Sequence, residues 1–416
     1  MHEFQYRHNI LYCEDVKVAD IAKKVGTPFY LYSHKTLVDH FRKLKDAFRE
    51  VDPLICFSMK SNSNLSVCKT LVNEGAGLDI VSGGELYKAM KIKADPRKIV
   101  YASVGKKKEE IEEAIRQNIL LFNVESAPEM KLINSIARQM SKKVDVAIRI
   151  NPDVKPKTHR HITTGAKETK FGVDFKTAED IFDNSNLYSN LNIAGLHIHI
   201  GSQITESRPY ITAIKKVLGF IKNSRINVRV LNIGGGLGII YSKEKPQTAA
   251  EFAGAVLPLL AKTGFRIILE PGRFIAGNSG ILVASVVYVK NTPAKKFVIV
   301  DAGMNDLIRP SFYEAYHEVQ PVARSKYLET DTFDIVGPIC ESGDFLAKDR
   351  VLPKPRGGDI LAIMSAGAYG FSMASNYNAR PRPCEVMVID GKFYVVRQRE
   401  KYEDLIRGEV IPSVLK

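Results

Sequence analysis

The sequence contains no tryptophan and little cysteine for its 416 residues. The cysteines are odd in number, scattered, and form no Cys-x-x-Cys pair; they are Cys13, Cys56, Cys68, Cys340 and Cys384. This pattern argues against a disulfide framework and against a zinc site. We therefore expect no metal, and reduced thiols in a cytoplasmic protein.

Long apolar runs and blocks of one charge are also missing. No stretch approaches the ~18 apolar residues of a membrane span, and the polar start MHEFQYRHN does not resemble a signal peptide. The net charge is +14, but the basic residues are spread along the chain. The densest cluster, Lys106–Lys108, continues into Glu109 and Glu110, which is typical of a solvated helix start. We expect neither a membrane nor a nucleic acid as partner.

The part of the chain from about residue 27 repeats an apolar, strand-like run followed by a helical pattern. Helical patterns between the runs include Lys107–Gln117 and Ala127–Gln139. Such alternation predicts a (β/α)8 barrel of the TIM type, with strands covered on both faces. We assign residues 27–273 to it and expect an active-site loop at His159–Phe175. The runs are Leu54–Lys60, Gly77–Ser82, Lys98–Ser103, Leu120–Ser126, Val144–Asn151, Ile193–Ser202, Val228–Gly236 and Phe265–Arg273.

After Arg273 the strand-like runs follow one another without long helices between them. Asp390-Gly391 joins two of these runs and is a strong hairpin signal. The pattern predicts a second, mostly antiparallel β domain, a barrel or sandwich, formed by residues 1–26 and 274–416. Its runs are Asn9–Cys13, Ile281–Lys290, Lys296–Asp301, Thr332–Cys340, Ile360–Ser365, Cys384–Ile389 and Phe393–Arg397.

One lysine, Lys60, ends the first apolar run of the predicted barrel and precedes Ser-Asn-Ser-Asn. Lysine is rarely buried without a partner. At the end of a buried strand, desolvation lowers the pKa of an amine and makes it a nucleophile. Taken alone, the segment also fits a strand whose last residue reaches solvent.

Function in such barrels lies at the C-terminal ends of the strands. Three adjacent glycines end the seventh run and expose backbone N–H groups, which suits a phosphate; a tight turn explains them equally well. The eighth run ends in a carboxylate and a cation, which would do little as a surface salt bridge. The strand ends supply Lys60, Ser82, Ser103, Glu125, Arg149, His199, Ser202, Gly234, Gly235, Gly236, Glu270, Gly272 and Arg273.

Two histidines, His197 and His199, are two residues apart and therefore point to the same face of a strand. His199 lies nearer the strand end, so we place it at the mouth of the barrel and His197 in the packing below. No third ligand at a suitable spacing supports a metal. A lysine, a phosphate cradle, a ring-stacking histidine and a carboxylate together match pyridoxal 5′-phosphate, whose ring nitrogen needs an acidic partner.

Ten motifs along nearly the whole chain resemble the diaminopimelate decarboxylases, a family within the alanine-racemase-like fold class of pyridoxal-phosphate enzymes. They are FSMKSNSN (57–64), GLDIVSGGEL (77–86), FNVES (122–126), TKFG (169–172), GLHIHIGSQI (195–204), NIGGGLG (232–238), EPGR (270–273), DAGMNDLIRP (301–310), GPICESGD (337–344) and GAYG (367–370). The resemblance implies decarboxylation of meso-2,6-diaminopimelate to L-lysine and carbon dioxide. The alternatives are a sister decarboxylase of ornithine, arginine or carboxynorspermidine, or a non-catalytic relative that binds the cofactor.

The resemblance also implies roles for individual residues around the cofactor. Lys60 would bind it covalently, His199 would stack on its ring, and Glu270 would pair with the ring nitrogen. The supporting charges would be Asp79, Glu85 and Arg149. The phosphate and its surroundings would be bound by Ser202, Gly234, Gly235, Gly236, Gly272 and Arg273, with Tyr369 beside cofactor and substrate.

For the substrate, the resemblance assigns the distal carboxylate to Arg273, Arg309 and Tyr313. Glu341 would hold the distal ammonium, and Cys340 would return the proton after carbon dioxide leaves. An ordinary thiol is mostly protonated at neutral pH and is able to donate, although a lone cysteine is often only a small buried hydrophobe. In this family the Cys340–Asp344 segment reaches the partner subunit's site, which implies a homodimer with shared active sites.

Overall fold

The structure is a computed structural model that describes residues 2–156, 164–165, 168–324 and 329–415. The chain divides into two compact units, one of Met1–Thr36 with Gly277–Lys416 and the other of Leu37–Ala276. The sequence had suggested boundaries at residues 27 and 273. Of the predicted loop at His159–Phe175, residues 159–163 and 166–167 lie outside the described residues. Within them, no helix is long and apolar enough to cross a membrane.

The N-terminal segment forms a small antiparallel sheet in the order β1-β2-β3 and then a single strand, β4. Its second strand confirms the strand expected at Asn9–Cys13. The elements are β1 (Phe4–Arg7), β2 (Ile10–Cys13), β3 (Val16–Lys17), α1 (Val18–Val25), β4 (Phe29–Ser33) and α2 (His34–Ala47).

Eight parallel strands of the described chain close into the predicted barrel. Seven of the predicted runs contain one strand each, and the run Ile193–Ser202 overlaps a strand that begins two residues earlier, at Leu191. The residues of these strands are buried almost without interruption, as expected for strands covered on both faces. Small and branched side chains such as Cys56, Val100, Ala147 and Ile268 fill the interior. The strands are β5 (Leu54–Ser58), β6 (Gly77–Ile80), β7 (Ile99–Tyr101), β8 (Leu121–Val124), β9 (Val144–Arg149), β10 (Leu191–His197), β11 (Val230–Asn232) and β12 (Arg266–Leu269).

The barrel helices begin where a polar side chain after a strand caps the first turn. Ser82, Ser126 and Thr248 each accept a hydrogen bond from a backbone N–H three residues later, which satisfies one free donor of the helix start. The two helices predicted from periodicity, α5 and α6, are confirmed. The helices are α3 (Leu65–Asn73), α4 (Gly83–Lys91), α5 (Lys108–Arg116), α6 (Ala127–Gln139), α7 (Phe175–Asp183), α8 (Arg208–Asn223), α9 (Ala249–Leu260) and α10 (Arg273–Ala276).

Lys106 corrects the interpretation of the basic cluster as a solvated helix start. Its side chain is fully buried and its Nζ donates to Glu129 Oε1 at 2.5 Å and to the backbone carbonyls of Ser103 and Asn123. Burial lowers its pKa, although Glu129 opposes the shift. The sequence could not reveal this, because Glu129 follows the next strand.

The other unit is built on one large sheet in the order β17-β16-β14-β13-β4-β19-β20, with β18 pairing β13 and β15. It is mostly antiparallel, as predicted, with parallel pairs β14–β16 and β4–β19. Its elements are β13 (Gly280–Asn291), β14 (Lys296–Val300), α11 (Arg309–Tyr313), β15 (Val319–Pro321), β16 (Thr330–Val336), β17 (Phe345–Pro353), β18 (Ile360–Ile363), β19 (Cys384–Ile389), β20 (Lys392–Arg397) and α12 (Tyr402–Leu405).

Two details of this sheet bear on the sequence prediction. Asp390 and Gly391 have φ angles of 49° and 73°, the positive values that a tight hairpin between β19 and β20 requires. The strand β4, which we had placed with the barrel, instead pairs with β13 and β19. All five of its residues are buried, so its composition fits a central strand of either sheet.

Candidate active site

Lys60 and Asp79 form an ion pair at the C-terminal ends of neighbouring barrel strands. A single 3-10 turn, Met59–Ser61, follows β5, and Lys60 Nζ lies 3.0 Å from Asp79 Oδ2. Asp79 is fully buried, whereas 34% of the Lys60 side chain is exposed. Burial raises the pKa of Asp79, and Lys60 and a hydrogen bond from Ser58 oppose that shift. The amine is therefore held in place yet accessible, rather than fully buried as the sequence suggested.

Glu270 lies directly after β12, and both oxygens of its carboxylate have buried side-chain partners. Oε1 accepts hydrogen bonds from the side-chain amides of Asn123 (2.9 Å) and Asn232 (2.6 Å), and Oε2 lies 3.1 Å from His197 Nε2. Burial opposes ionisation, but the charge and hydrogen bond of His197, with Lys60, hold the pKa of Glu270 below its usual range. The carboxyl group is thus an anion at neutral pH. His197 does more than pack, because it holds Glu270.

His199 stands beside the glycine turn. Its Nδ1 accepts a hydrogen bond from the backbone N–H of Gly235 at 3.2 Å, which places the proton of the neutral ring on Nε2. Burial lowers the pKa of His199 well below its ordinary value, and the charges of Lys60 and Arg149 lower it further. A neutral imidazole suits stacking on an electron-poor ring.

The glycine turn at residues 234–236 leaves no space for side chains. Gly234 and Gly236 have positive φ angles of 71° and 104°. A Cβ on Gly235 would lie 1.9 Å from the carbonyl oxygen of Glu270. The turn therefore approaches the Glu270 backbone as closely as a glycine allows.

Replacing Gly235 by alanine is expected to disrupt this turn. The clash with the Glu270 backbone should lower the free energy of unfolding by about 1–3 kcal/mol, as overpacking does, and weaken cofactor binding more than tenfold. Thermal denaturation and equilibrium dialysis measure the two effects. Gly254 in α9 is the matched control, since its Cβ would meet nothing within 4 Å and alanine favours a helix. Equal behaviour of the two variants would contradict the assignment.

Arg273 and Ser202 meet after β12 and β10. Arg273 Nε and Nη2 donate to Ser202 Oγ at 3.2 and 3.1 Å, and Nη1 donates to the hydroxyl of Tyr241 at 2.6 Å. Arg273 is only 6% exposed. Gly272 approaches Ser61, whose Cβ would be 3.0 Å from an added methyl group. The predicted residues Ser202, Gly272 and Arg273 are thus brought together around one buried cation.

The predicted supporting charges take different places. Arg149 donates to Glu125 Oε1 at 2.6 Å, and Glu125 Oε2 accepts the backbone N–H of Gly172 at 2.8 Å. Glu85 caps the start of α4 by accepting the Val81 N–H. Burial, with the charge of Asp79, raises the pKa of Glu85 to about 7. Of the three predicted supporting charges, Asp79 contacts Lys60 directly, whereas Arg149 forms its ion pair with Glu125.

The remaining predicted residues belong to the other unit. Arg309 begins α11 and is buried, with Nη1 2.7 Å from His317 Nε2. Tyr313 ends the same helix and packs edge-to-face on Phe312. Tyr369 is half-buried in the loop after β18, with a positive φ of 56°.

Cys340 is exposed, while the other four cysteines are buried. Its backbone N–H donates to Asn378 Oδ1 at 3.1 Å, and the neighbouring Glu341 accepts a hydrogen bond from the Tyr377 hydroxyl. Asp344 ties the base of this loop by accepting the backbone N–H groups of Met304 and Ile339, both at 2.6 Å. Cys340 is therefore not the small buried hydrophobe that a lone cysteine often is.

Several contacting residues were missed by the sequence reasoning. They are Asn123, Asn232, Tyr241, His317, Tyr377 and Asn378. Asn123 and Asn232 had a weak signal, because each is a polar residue inside an apolar strand run and such residues need buried partners. The others lie in loops, in the 3-10 turn Tyr377–Ala379 or just outside a strand, where a polar residue carries no such signal.

The functional groups that the barrel unit brings together fit pyridoxal 5′-phosphate. Glu270 accepts two hydrogen bonds on Oε1 and one on Oε2, so the ionised carboxylate retains capacity for a protonated ring nitrogen. Lys60 offers an accessible amine. The backbone of the turn at 234–236 approaches Gly201, the neighbour of Ser202, and Ser202 accepts hydrogen bonds from Arg273; bare backbone N–H groups and a cation are what phosphate sites use. The aldehyde, the ring nitrogen and the phosphate of the cofactor therefore each have a suitable partner in this unit.

Comparison with known proteins agrees with this site. Residues 34–277 match the family described as "Pyridoxal-dependent decarboxylase, pyridoxal binding domain". A diaminopimelate decarboxylase of Aquifex aeolicus is 46% identical, over 97% of this chain and 96% of that protein. The Helicobacter pylori diaminopimelate decarboxylase, solved with L-lysine, has a TM-score of 0.90 at 42% identity, covering 94% and 98% of the two chains.

The likeness extends over both units of the chain. The diaminopimelate decarboxylase of M. jannaschii, also solved with L-lysine, superposes with a TM-score of 0.94 at 37% identity and covers 100% of each chain. An alignment over the full length includes both the barrel and the β sheet. The chain therefore belongs to the diaminopimelate decarboxylases, within the pyridoxal-dependent decarboxylases.

Proposed function

We propose that the protein decarboxylates meso-2,6-diaminopimelate to L-lysine and carbon dioxide, the last step of lysine biosynthesis. The observation that carries this proposal is the 46% identity with a diaminopimelate decarboxylase over 97% of the chain. The L-lysine bound in two related structures supports it, because L-lysine is the product of that reaction.

The barrel residues bind and orient the cofactor. When bound, pyridoxal 5′-phosphate withdraws electrons from the bond that breaks. Lys60 supplies the amine that anchors it, and Asp79 orients that amine. Glu270, kept anionic by His197, Asn123 and Asn232, holds a proton on the ring nitrogen. His199 covers the ring face, and Ser202, Arg273 and the 234–236 turn hold the phosphate and its surroundings.

Residues of the other unit recognise the far end of the substrate and return the proton. Arg309 and Tyr313, with Arg273, bind the distal carboxylate, since a guanidinium grips a carboxylate through charge-assisted hydrogen bonds. Glu341 holds the distal ammonium, and Tyr369 contacts cofactor and substrate. Cys340 donates its thiol proton to the carbon that has lost its carboxylate.

We also propose a cytoplasmic homodimer in which Cys340 and Glu341 serve the site of the partner. Their exposure on a loop that is fixed at its base by Asp344 supports such a role. Five cysteines without a disulfide agree with a reducing compartment.

A decarboxylation assay with pyridoxal phosphate tests the function. We expect meso-diaminopimelate to yield L-lysine, while L-ornithine, L-arginine and carboxynorspermidine yield less than about one hundredth of that rate, because ornithine lacks a distal carboxylate for Arg309. Carbon dioxide release and product chromatography measure the outcome. Turnover of ornithine or arginine instead would agree with the assigned cofactor but contradict the assigned substrate. Cofactor binding without any turnover would indicate a non-catalytic relative.

A further inference from the structure

The buried guanidinium of Arg309 is held by a histidine that the sequence reasoning did not identify. Arg309 Nη1 lies 2.7 Å from Nε2 of His317, and Nδ1 of the same ring lies 2.8 Å from the carbonyl oxygen of Met364. Arg309 is 6% exposed and His317 is completely buried. The ring therefore bridges α11 and the end of β18.

The two hydrogen bonds determine the protonation state of the His317 ring. A backbone carbonyl only accepts hydrogen bonds, so Nδ1 carries a proton; a guanidinium only donates, so Nε2 presents its lone pair. The ring in this arrangement is a neutral imidazole with its proton on Nδ1.

The backbone on both sides of the ring is fixed by the sheet. His317 directly precedes Glu318 and β15, whose Val319 pairs with Ile363 of β18. The Met364 N–H continues that ladder by donating to the carbonyl oxygen of Glu318 at 2.8 Å. The acceptor of the His317 Nδ1–H and the backbone that carries the ring thus belong to one pair of strands, which sets the position of Nε2.

We propose that His317 is a positioning residue that orients the Arg309 guanidinium toward the distal carboxylate of the substrate and leaves its positive charge available. The proposal rests on the function proposed above. A carboxylate in the place of His317 would hold the guanidinium equally well but would compete for its charge. A neutral acceptor fixes its position and does not neutralise it.

The experiment measures ligand binding to the pyridoxal-phosphate-loaded enzyme by calorimetry. L-lysine carries the distal carboxylate and cadaverine is the same diamine without it. The variants are His317→Leu, which removes both hydrogen bonds, His317→Gln, which keeps a neutral acceptor and a donor, and His317→Glu, which supplies a charged acceptor. Melting temperatures and the kcat and KM for meso-diaminopimelate are measured in parallel.

We expect His317→Leu to weaken L-lysine binding at least tenfold, a loss of about 1.4 kcal/mol, and cadaverine binding less than twofold. KM should rise while kcat stays within about threefold. His317→Gln should remain within threefold of the parent for both ligands. His317→Glu should weaken L-lysine as strongly as His317→Leu.

Three results with the variants would overturn the proposal. The first is unchanged L-lysine affinity in His317→Leu; the second is an equal loss for L-lysine and cadaverine, which indicates a merely structural role. The third is His317→Glu that binds L-lysine as well as His317→Gln, and this comparison decides the matter if His317→Leu does not fold. A parent enzyme that turns over diaminopimelate without preferring L-lysine to cadaverine would refute the role of Arg309, and the proposal with it. A parent that lacks turnover of diaminopimelate would instead refute the proposed function itself.

Discussion

Replacing Lys60 by alanine is expected to lower kcat for meso-diaminopimelate by a factor on the order of 10⁴ or more, as losing a residue that acts covalently does. No other amine is in contact with Asp79 among the described ion pairs, so a neighbouring lysine does not replace it. Single-turnover carbon dioxide release and the visible absorbance of the bound cofactor measure the effect.

Two further variants separate chemistry from stability in this experiment. Lys60→Ala leaves Asp79 fully buried without its cation, and a buried unpaired charge lowers the free energy of unfolding. Lys60→Arg keeps a cation near Asp79 but not a nucleophile, because a guanidinium stays protonated. It should be stable and inactive. Lys69, which donates to the carbonyl of Ile92, is the control, and Lys69→Ala should remain active. If Lys60→Arg retained more than one hundredth of the parent's activity, the assignment of Lys60 as the covalently acting amine would be wrong.

The second large effect is expected at Cys340. A serine there keeps the size of the side chain but is a far weaker acid, so kcat should fall by about 10²–10⁴-fold, the range that general acid catalysis contributes. KM should fall together with kcat and leave kcat/KM nearly unchanged, since the thiol is proposed to act after the irreversible loss of carbon dioxide. Steady-state kinetics with meso-diaminopimelate measure both constants.

The neighbouring Ser342 provides the matched control for Cys340. It is exposed on the same loop, so Ser342→Ala tests whether any change in the loop lowers turnover. We expect its kcat to remain within about twofold of the parent. If both variants lose activity to the same extent, loop geometry rather than the thiol is responsible, and the acid must be sought elsewhere.

The barrel and the kind of chemistry were within reach of the sequence. Parallel strands that are covered on both faces are apolar along their length, so eight such runs with intervening helices predicted the closed barrel. Lys60, His199 and Glu270 were identifiable because each follows or ends a predicted strand, and strand ends of a parallel barrel meet at one face. The motif resemblance added residues that no periodicity points to, such as Arg309 and Cys340.

The partners of these residues depend on the tertiary structure. Lys106 lies in a run of basic residues, yet it is buried against Glu129, because the parallel pairing of β7 with β8 brings together the segments that follow these two strands. The strand β4 joins the large sheet through β13 and β19, although its apolar composition also suits the barrel.

The sequence by itself determined which side chains are present at the ends of the strands, because alternation and turn residues are local properties. Only the tertiary structure decided which of these side chains are charged and which are fixed in position by hydrogen bonds. Glu270 stays anionic since Asn123, Asn232 and His197 converge on it from other strands, and His317 accepts from Arg309 because Met364 takes its other proton. Desolvation and hydrogen bonds set the charge state of a side chain over a few ångströms in space. The separation of two residues along the chain does not indicate whether they lie within that distance.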